Sequence, residues 1–280
     1  MVKMTKAEND TKIIREIYEF FCTKQKNVCS VSKWHFDKMQ ETVSEPIVRG
    51  NVGIDIGSGI GYDTYIMAKN NPSVKITSVD IGKGVFITKK IASDLQNVEI
   101  IQGSVLDMPF KDNMFDFAYS FGVIHHTIAP KKALSEISRI LKRNSPAFLY
   151  LYENHSENPI KYIASKVISS LKVITIKIPP QILYGLSWLL SPFVYILFSI
   201  PSKILKNFNS TQGLSNKIPF NFGSGIFSLR ADICETLAVP IEFRFARHEV
   251  YDMFIECGFS KINITRMKDT AGWVVWGYKV

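Results

Sequence analysis

Asp55-Ile56-Gly57-Ser58-Gly59-Ile60-Gly61 gathers, in seven residues of a 280-residue chain, groups suited to holding a charged ligand. Glycines in such a turn allow close approach, because a side chain there collides with anything lying across it, and they tolerate the unusual φ/ψ involved. The spacing separates ligand classes. A dinucleotide turn reads G-x-G-x-x-G and would place a glycine at 62, where this chain has Tyr62. The pattern is instead D-x-G-x-G-x-G, with a carboxylate two residues before the first glycine. That carboxylate repels a pyrophosphate and attracts an α-ammonium group, so the turn suits a nucleoside that carries an amino acid. Asp80, twenty-three residues after Gly57, ends the next apolar run. A carboxylate at that place can accept both hydroxyls of a ribose.

The elements that must position these groups follow from hydrophobic periodicity. Apolar residues at Ile13, Ile14, Ile17, Tyr18 and Phe21, before Trp34 and Phe36, predict helix within 11–45 and a helical cap over 1–47. Strands are predicted at the run before the glycine turn, at 74–80, 98–103, 115–121 and 147–152, with helices at 62–70, 83–95 and 131–142 between them. After Tyr152 the alternation stops for about ninety residues. It resumes at HEVYDMFIECGF, a helix closed by Gly258, followed by SKINITRM and GWVVWGYKV as two last strands. This predicts an α/β fold: a Rossmann-like, seven-stranded, mostly parallel sheet with helices on both faces, spanning 48–280 and interrupted by an apolar, basic helical insertion at 157–240. The ligand belongs above the carboxyl ends of the strands.

On these motifs the chain resembles the class I S-adenosylmethionine-dependent methyltransferases, over roughly residues 48–153 and 245–280. GSVLDMPFKDNMFDFAYSFGVIHHT is similar to that family's third-strand, fourth-strand and post-strand-four motifs. The resemblance implies that Asp55, Gly57, Ser58, Gly59 and Gly61 hold the methionine part of S-adenosyl-L-methionine. It further implies that Asp80 holds the ribose, that Ile81 packs on the adenine with Ser104 and Val105 at its edge, and that Ser120 and Phe121 lie near the sulfonium. The chain departs from the family at Ser104, where relatives often carry an acid, and at Leu141-Lys142-Arg143-Asn144-Ser145, where they often show LKPGG.

A sulfonium methyl is already activated, so the chemistry needs alignment more than a strong acid or base. A base is required only where the acceptor must lose a proton. His125, at the edge where the methyl should sit, is the candidate for that role, with packing of the loop as the competing reading. His126, Glu153 and Asn154 are candidate acceptor contacts, with a solvated turn around Asn154 and His155 as the alternative. The four cysteines form no C-x-x-C pair, and no metal site is expected. Ser120-Phe121-Gly122-Val123 stands where amino-methylating DNA enzymes carry an Asn/Asp-Pro-Pro-aromatic motif, and no cysteine falls between Cys29 and Cys234 for carbon-5 chemistry on a pyrimidine. Nucleic acid is therefore not the expected partner.

Charge and hydropathy point to a greasy one. The net charge of +9 is concentrated: Asn158 to Ala231 holds no Asp or Glu but carries seven lysines and Arg230. Within it PPQILYGLSWLLSPFVYILFSIP belongs to an uncharged stretch, 178–202, long enough for about 37 Å of helix. A single crossing of a bilayer conflicts with a chain that must return to its own sheet, and the lysine-rich 161–178 is a poor second span. Pro179, Pro180, Pro192 and Pro201 are expected to cut the run into short helices. Such helices either contact an anionic membrane or form a lid over a hydrophobic acceptor. The first thirty residues lack the apolar run of a secretory signal, so the expected location is cytoplasmic, peripheral on the inner face of the cell membrane. The expected activity is methyl transfer to a hydrophobic small molecule such as a quinone, isoprenoid or lipid precursor. Methylation of a soluble metabolite, sugar or natural product, and a non-catalytic cofactor-binding adaptor, are the alternatives.

Overall fold

The computed structural model describes residues 6–24, 37–219, 226–267 and 271–280, so Cys29, Trp34 and Phe36 lie outside the described residues. The chain divides into two compact units, one of residues 1–153 and 241–280 and one of residues 154–240.

The first unit is built on a seven-stranded sheet of β1 (Val52–Ile56), β2 (Lys75–Asp80), β3 (Val98–Gln102), β4 (Phe117–Phe121), β5 (Pro146–Leu151), β6 (Phe259–Arg266) and β7 (Trp273–Lys279). The order is β3-β2-β1-β4-β5-β7-β6. Only β7 runs against the rest, since its pairings with β5 and β6 are both antiparallel. Helix α1 (Lys6–Lys24) precedes the sheet, while α2 (Tyr62–Asn70), α3 (Gly84–Ile91) and α4 (Pro130–Ile140) connect its strands.

Strand alternation supplies two core layers. Ile54, Ile56, Ala118 and Leu149 point to one face and are covered by Leu134 and Ile137 of α4. Phe117, Tyr119, Phe148 and Trp276 point to the other, against Met39, Ile47 and Met67. The reversal from β3 on one side of β1 to β4 on the other opens the crevice at the carboxyl ends of these strands, where ligands bind in open α/β sheets. At the opposite, amino end, Asp116 clamps the two central strands: its carboxylate accepts from the backbone N–H groups of Asn51 (2.9 Å) and Val52 (3.0 Å) and from Lys142 Nζ (2.7 Å).

In the second unit, α5 (Pro159–Thr175) leads to α6 (Pro180–Val194), a π-helical turn (Tyr195–Ser199), α7 (Ile200–Lys206), a short α8 (Gln212–Ser215) and α9 (Ile226–Ala238). This corrects the expectation that prolines cut the apolar run. Residues Pro180–Lys206 form one 27-residue helix, long and apolar enough by composition to cross a membrane. The widened turn supplies the reason: the Ile200 N–H bonds back to the Tyr195 carbonyl, five residues away, just before Pro201, where a regular turn would crowd the ring. Helix α10 (Arg247–Glu256) then returns to the sheet unit ahead of β6.

Asp116→Ala is expected to lower unfolding free energy by about 2 kcal/mol in urea titration, because it removes charge-assisted hydrogen bonds from both central strands. Ligand binding by the fraction still folded should be unchanged, since the clamp lies at the end of the sheet opposite the crevice.

Candidate functional site

The turn after β1 is held by its own backbone. Gly57 and Ser58 both donate to the Val79 carbonyl, at 2.7 and 3.2 Å, and Gly61 donates to the Ser58 carbonyl at 2.8 Å. All three glycines adopt left-handed backbone angles, with φ of 76°, 56° and 77° at Gly57, Gly59 and Gly61. Their reasons differ, which corrects the reading that all three make room for ligand. A Cβ on Gly57 would stand 2.2 Å from Val123 and one on Gly61 2.1 Å from Thr88, so these two are fixed by packing. A Cβ on Gly59 would meet nothing within 4 Å. Only the middle glycine faces open space.

Asp80 ties this turn to the end of β2. One carboxylate oxygen accepts from Gly59 N at 2.9 Å and the other from Gly82 N at 2.7 Å. Burial nevertheless raises its pKa, with the two backbone bonds opposing the rise. Both oxygens retain a lone pair for a further donor. Ile81, Ser104 and Val105 come together at the ends of β2 and β3, where Gln102 Nε2 donates to the Ile81 carbonyl (3.2 Å) and Gly103 N to the Asp80 carbonyl (2.9 Å). The Ser104 hydroxyl accepts from Leu106 N (3.2 Å) and so shapes the turn.

Asp55 lies beneath the turn. It is 3% exposed, accepts from Thr64 Oγ1 and bonds the Tyr119 hydroxyl. Burial pushes its carboxyl from the ordinary 3.8 to about 6. Ser120, fully buried, donates to the Ile56 carbonyl at 2.8 Å and locks β4 to β1 below the crevice.

At the carboxyl ends of β4 and β5 the side chains become aromatic. Phe121 stacks on Tyr150 with ring centroids 4.5 Å apart and planes 7° from parallel. His125 stacks on Tyr152 at 3.8 Å, and His126 lies 5.4 Å from the same ring. The Arg244 guanidinium sits 5.2 Å from the centre of the Tyr152 ring and pairs with Glu242 at 2.6 Å. His125 was expected to face a substrate; it is fully enclosed, and burial, then His126 and Arg244, hold its pKa well below the usual imidazole range. It is therefore a neutral ring in a stack at neutral pH. His126 is fixed by its Nδ1, 2.9 Å from the Ile241 carbonyl. Glu153 turns toward the last strands, with Arg266 Nε at 3.0 Å and Gly272 N at 3.4 Å. Asn154 belongs to the helical unit and accepts from Ser156 N in a local turn.

Two contributors were missed in the sequence. Residues 241–245 run alongside the site, with Phe243 N bonded to the His125 carbonyl (2.8 Å) and Phe245 N to the Tyr152 carbonyl (2.9 Å). The alternation Phe243-Arg244-Phe245 was the available signal. Helix α1 also reaches the site: Tyr18 lies 5.8 Å from the His126 ring, Glu19 accepts from Lys83 N (3.3 Å), and the Cys22 sulfur would be 3.3 Å from a Cβ on Gly84. Burial, Asp80 and Glu19 push the Cys22 thiol up to about 12, so it is not a nucleophile at neutral pH.

A sheet of this order, a glycine turn open at one position, an acid fixed at the end of β2 and an aromatic edge beyond β4 define a class I methyltransferase architecture. Residues 54–149, about a third of the chain, match the methyltransferase domain family model, which supports an S-adenosylmethionine-dependent class I methyltransferase. It is 27% identical over 135 residues to 2-methyl-6-phytyl-1,4-hydroquinone methyltransferase of Spinacia oleracea, covering 47% of this chain and 39% of that protein. It is 28% identical over 97 residues to demethylmenaquinone methyltransferase of Staphylococcus aureus, covering 34% of this chain and 40% of that one. The chain thus spans about two fifths of the length of these curated relatives. Human N-acetylserotonin methyltransferase, solved with S-adenosylmethionine, shares the fold with a TM-score of 0.58 at 12% identity, over 98% of this chain and 60% of that one. The site residues suit the cofactor: space above Gly59 accommodates its amino-acid part, and the free lone pairs of Asp80 match a ribose diol.

Because the folded pKa of Asp55 is raised, the protonated carboxyl contributes stability below about pH 4, and this is lost as pH rises to about 6. At pH 8 the ionised, buried group costs roughly 3 kcal/mol. Asp55→Asn should therefore raise the urea midpoint above the parent's at pH 8, with the gap closing at pH 4.

Proposed function

We propose that the protein transfers a methyl group from S-adenosyl-L-methionine to a hydrophobic, ring-bearing acceptor of the quinol or isoprenoid-quinol type, peripheral on the inner face of the cell membrane. The observation that carries this is the aromatic edge at the ends of β4 and β5, where the half-buried Phe121 and Tyr152 are backed by the buried Tyr150, His125 and His126. A flat, apolar ring finds stacking partners there, each such pair adding roughly 0.5–1.5 kcal/mol beyond its buried area. The names of the two relatives above, both methyltransferases of quinone-type compounds, support the same class.

The bound cofactor supplies an electrophilic methyl on a positively charged sulfur. The chain's task is to hold both partners and exclude water. Asp80 would hold the ribose, Ile81, Ser104 and Val105 would border the adenine, and the open space at Gly59 would admit the amino-acid part. Arg244 lies over Tyr152 and is paired with Glu242 (2.6 Å), so it braces the ring wall without adding a net charge. The neutral His125 supports the ring wall and adds no competing charge.

Asp80→Ala should weaken binding of S-adenosylhomocysteine at least about ten-fold by calorimetry while circular dichroism stays unchanged. The parent, given a short-chain hydroquinone and cofactor, should yield a product one methylene unit heavier by mass spectrometry. A folded parent with no affinity for either cofactor form would overturn the assignment.

A further inference from the structure

The long helix of the helical unit is built with reversed polarity, while α9 buries Leu229, Ile233 and Cys234. On the long helix Pro180–Lys206, the buried positions are Leu183 and a line of serines, Ser187, Ser191, Ser199 and Ser202. The opposite positions, Ile182, Leu186, Leu189, Phe193, Leu197 and Ile204, are each 40% to 66% exposed. Helix α5 has no buried residue at all, and Ile160, Ile163, Val167 and Ile174 are each at least half exposed. Small residues inward and large apolar residues outward is how helices pack in lipid, where the surroundings are as apolar as leucine.

The exposed hydroxyls of α5 behave accordingly. Ser165, Ser169 and Ser170 each donate to a carbonyl of their own helix, at 2.7, 2.9 and 3.1 Å, so these three hydroxyls are satisfied internally. Lysine ammonium groups lie over tyrosine rings at two places, Lys166 over Tyr162 (5.3 Å) and Lys203 over Tyr195 (5.1 Å). Tyrosine with lysine marks the headgroup level of a bilayer. Without any Asp or Glu between Asn158 and Ala231, the charge is complementary to anionic lipid rather than to a second copy of the same surface.

Connectivity selects the orientation. The start of α5 is tied to the far end of the long helix: Asn158 Nδ2 donates to the Asn216 carbonyl (3.3 Å) and Ser215 Oγ to the Ser202 carbonyl (2.8 Å). The other end of α5 is tied to α9, with Thr175 Oγ1 donating to the Leu237 carbonyl (2.8 Å). Asn158 follows the sheet unit's Glu153 by five residues, and Leu237 precedes its Ile241 by four. Fully extended, such tethers reach at most about 18 Å, less than a hydrocarbon core of roughly 30 Å. Neither end of α5 can be on the far side of a bilayer from the sheet.

We propose that residues 154–240 form a monotopic anchor in which α5 and the long helix lie in the plane of one anionic leaflet, their outward side chains among the acyl chains and their lysines at the phosphates. The proposal rests on the membrane-surface reading above but not on the identity of the acceptor.

The test uses the full chain and vesicles of phosphatidylglycerol and phosphatidylcholine. Tryptophan introduced separately by Ile182→Trp, Leu189→Trp and Ile204→Trp should be quenched to the same depth by lipids brominated near the headgroup, and less by lipids brominated near the chain ends. Lys172→Gln with Lys206→Gln should weaken vesicle sedimentation by about thirty-fold while calorimetric affinity for S-adenosylhomocysteine stays as in the parent. Quenching that deepens steadily from 182 to 204 would overturn the in-plane orientation. Absence of vesicle binding, with a lipid-free dimer in sedimentation equilibrium, would assign the surface to a second copy instead. Loss of cofactor affinity in the parent would count against the methyltransfer reading alone.

Discussion

The Asp80 carboxylate is the point on which the sheet unit's site depends. By accepting from Gly59 N and Gly82 N it joins the turn after β1 to the turn after β2, across the strand pair that flanks the crevice. The turn can be drawn this close only because Gly57 and Gly61 leave room for Val123 and Thr88. Those two neighbours belong to the loop after β4 and to α3, so the spacing of the glycines fixes the packing of three connections at once. Gly59, left facing open space, is a by-product of that construction as much as a ligand contact.

Buried acids beneath such a turn work against stability. Asp55 is enclosed with Tyr119 and Thr64, and its raised pKa records that the folded protein would hold it more comfortably protonated. Sites that bind charge commonly keep groups that the rest of the structure must offset. Here the offset comes from two dense core layers and from the Asp116 clamp at the other end of the same strands.

Much of the sheet unit was legible because its signals are local. Period-two strands, ten-residue helices and the glycine turn appear within a few residues of one another, and the strand order follows from them with few alternatives. Less legible was what depends on distant chain. Nothing near Tyr18, Glu19 or Cys22 shows that α1 reaches the turn after β1 and the loop after β4, and Phe243 and Arg244 gain their meaning only from backbone bonds to His125 and Tyr152, more than ninety residues away. For His125 the choice between base and packing was open for the same reason: its place after β4 was readable, but the stack that encloses it was not. The prolines of 179–201 misled differently, because the rule that proline breaks helices omits the π-helical turn that accommodates Pro201.

The sheet unit and the long helix of the helical unit obey opposite rules of burial, and this is informative about their solvents. In the sheet unit, Phe117, Phe148 and Ile54 are inside and lysines outside, as the transfer of apolar area from water requires. On the long helix, serines and Leu183 are inside and Leu189 and Phe193 outside at 66% exposure each. Burying one leucine or phenylalanine side chain is worth about 1.5–3 kcal/mol in water, so a unit that leaves many of them outward forgoes a large part of its own folding energy there. That energy is recovered if the unit's working surroundings are apolar.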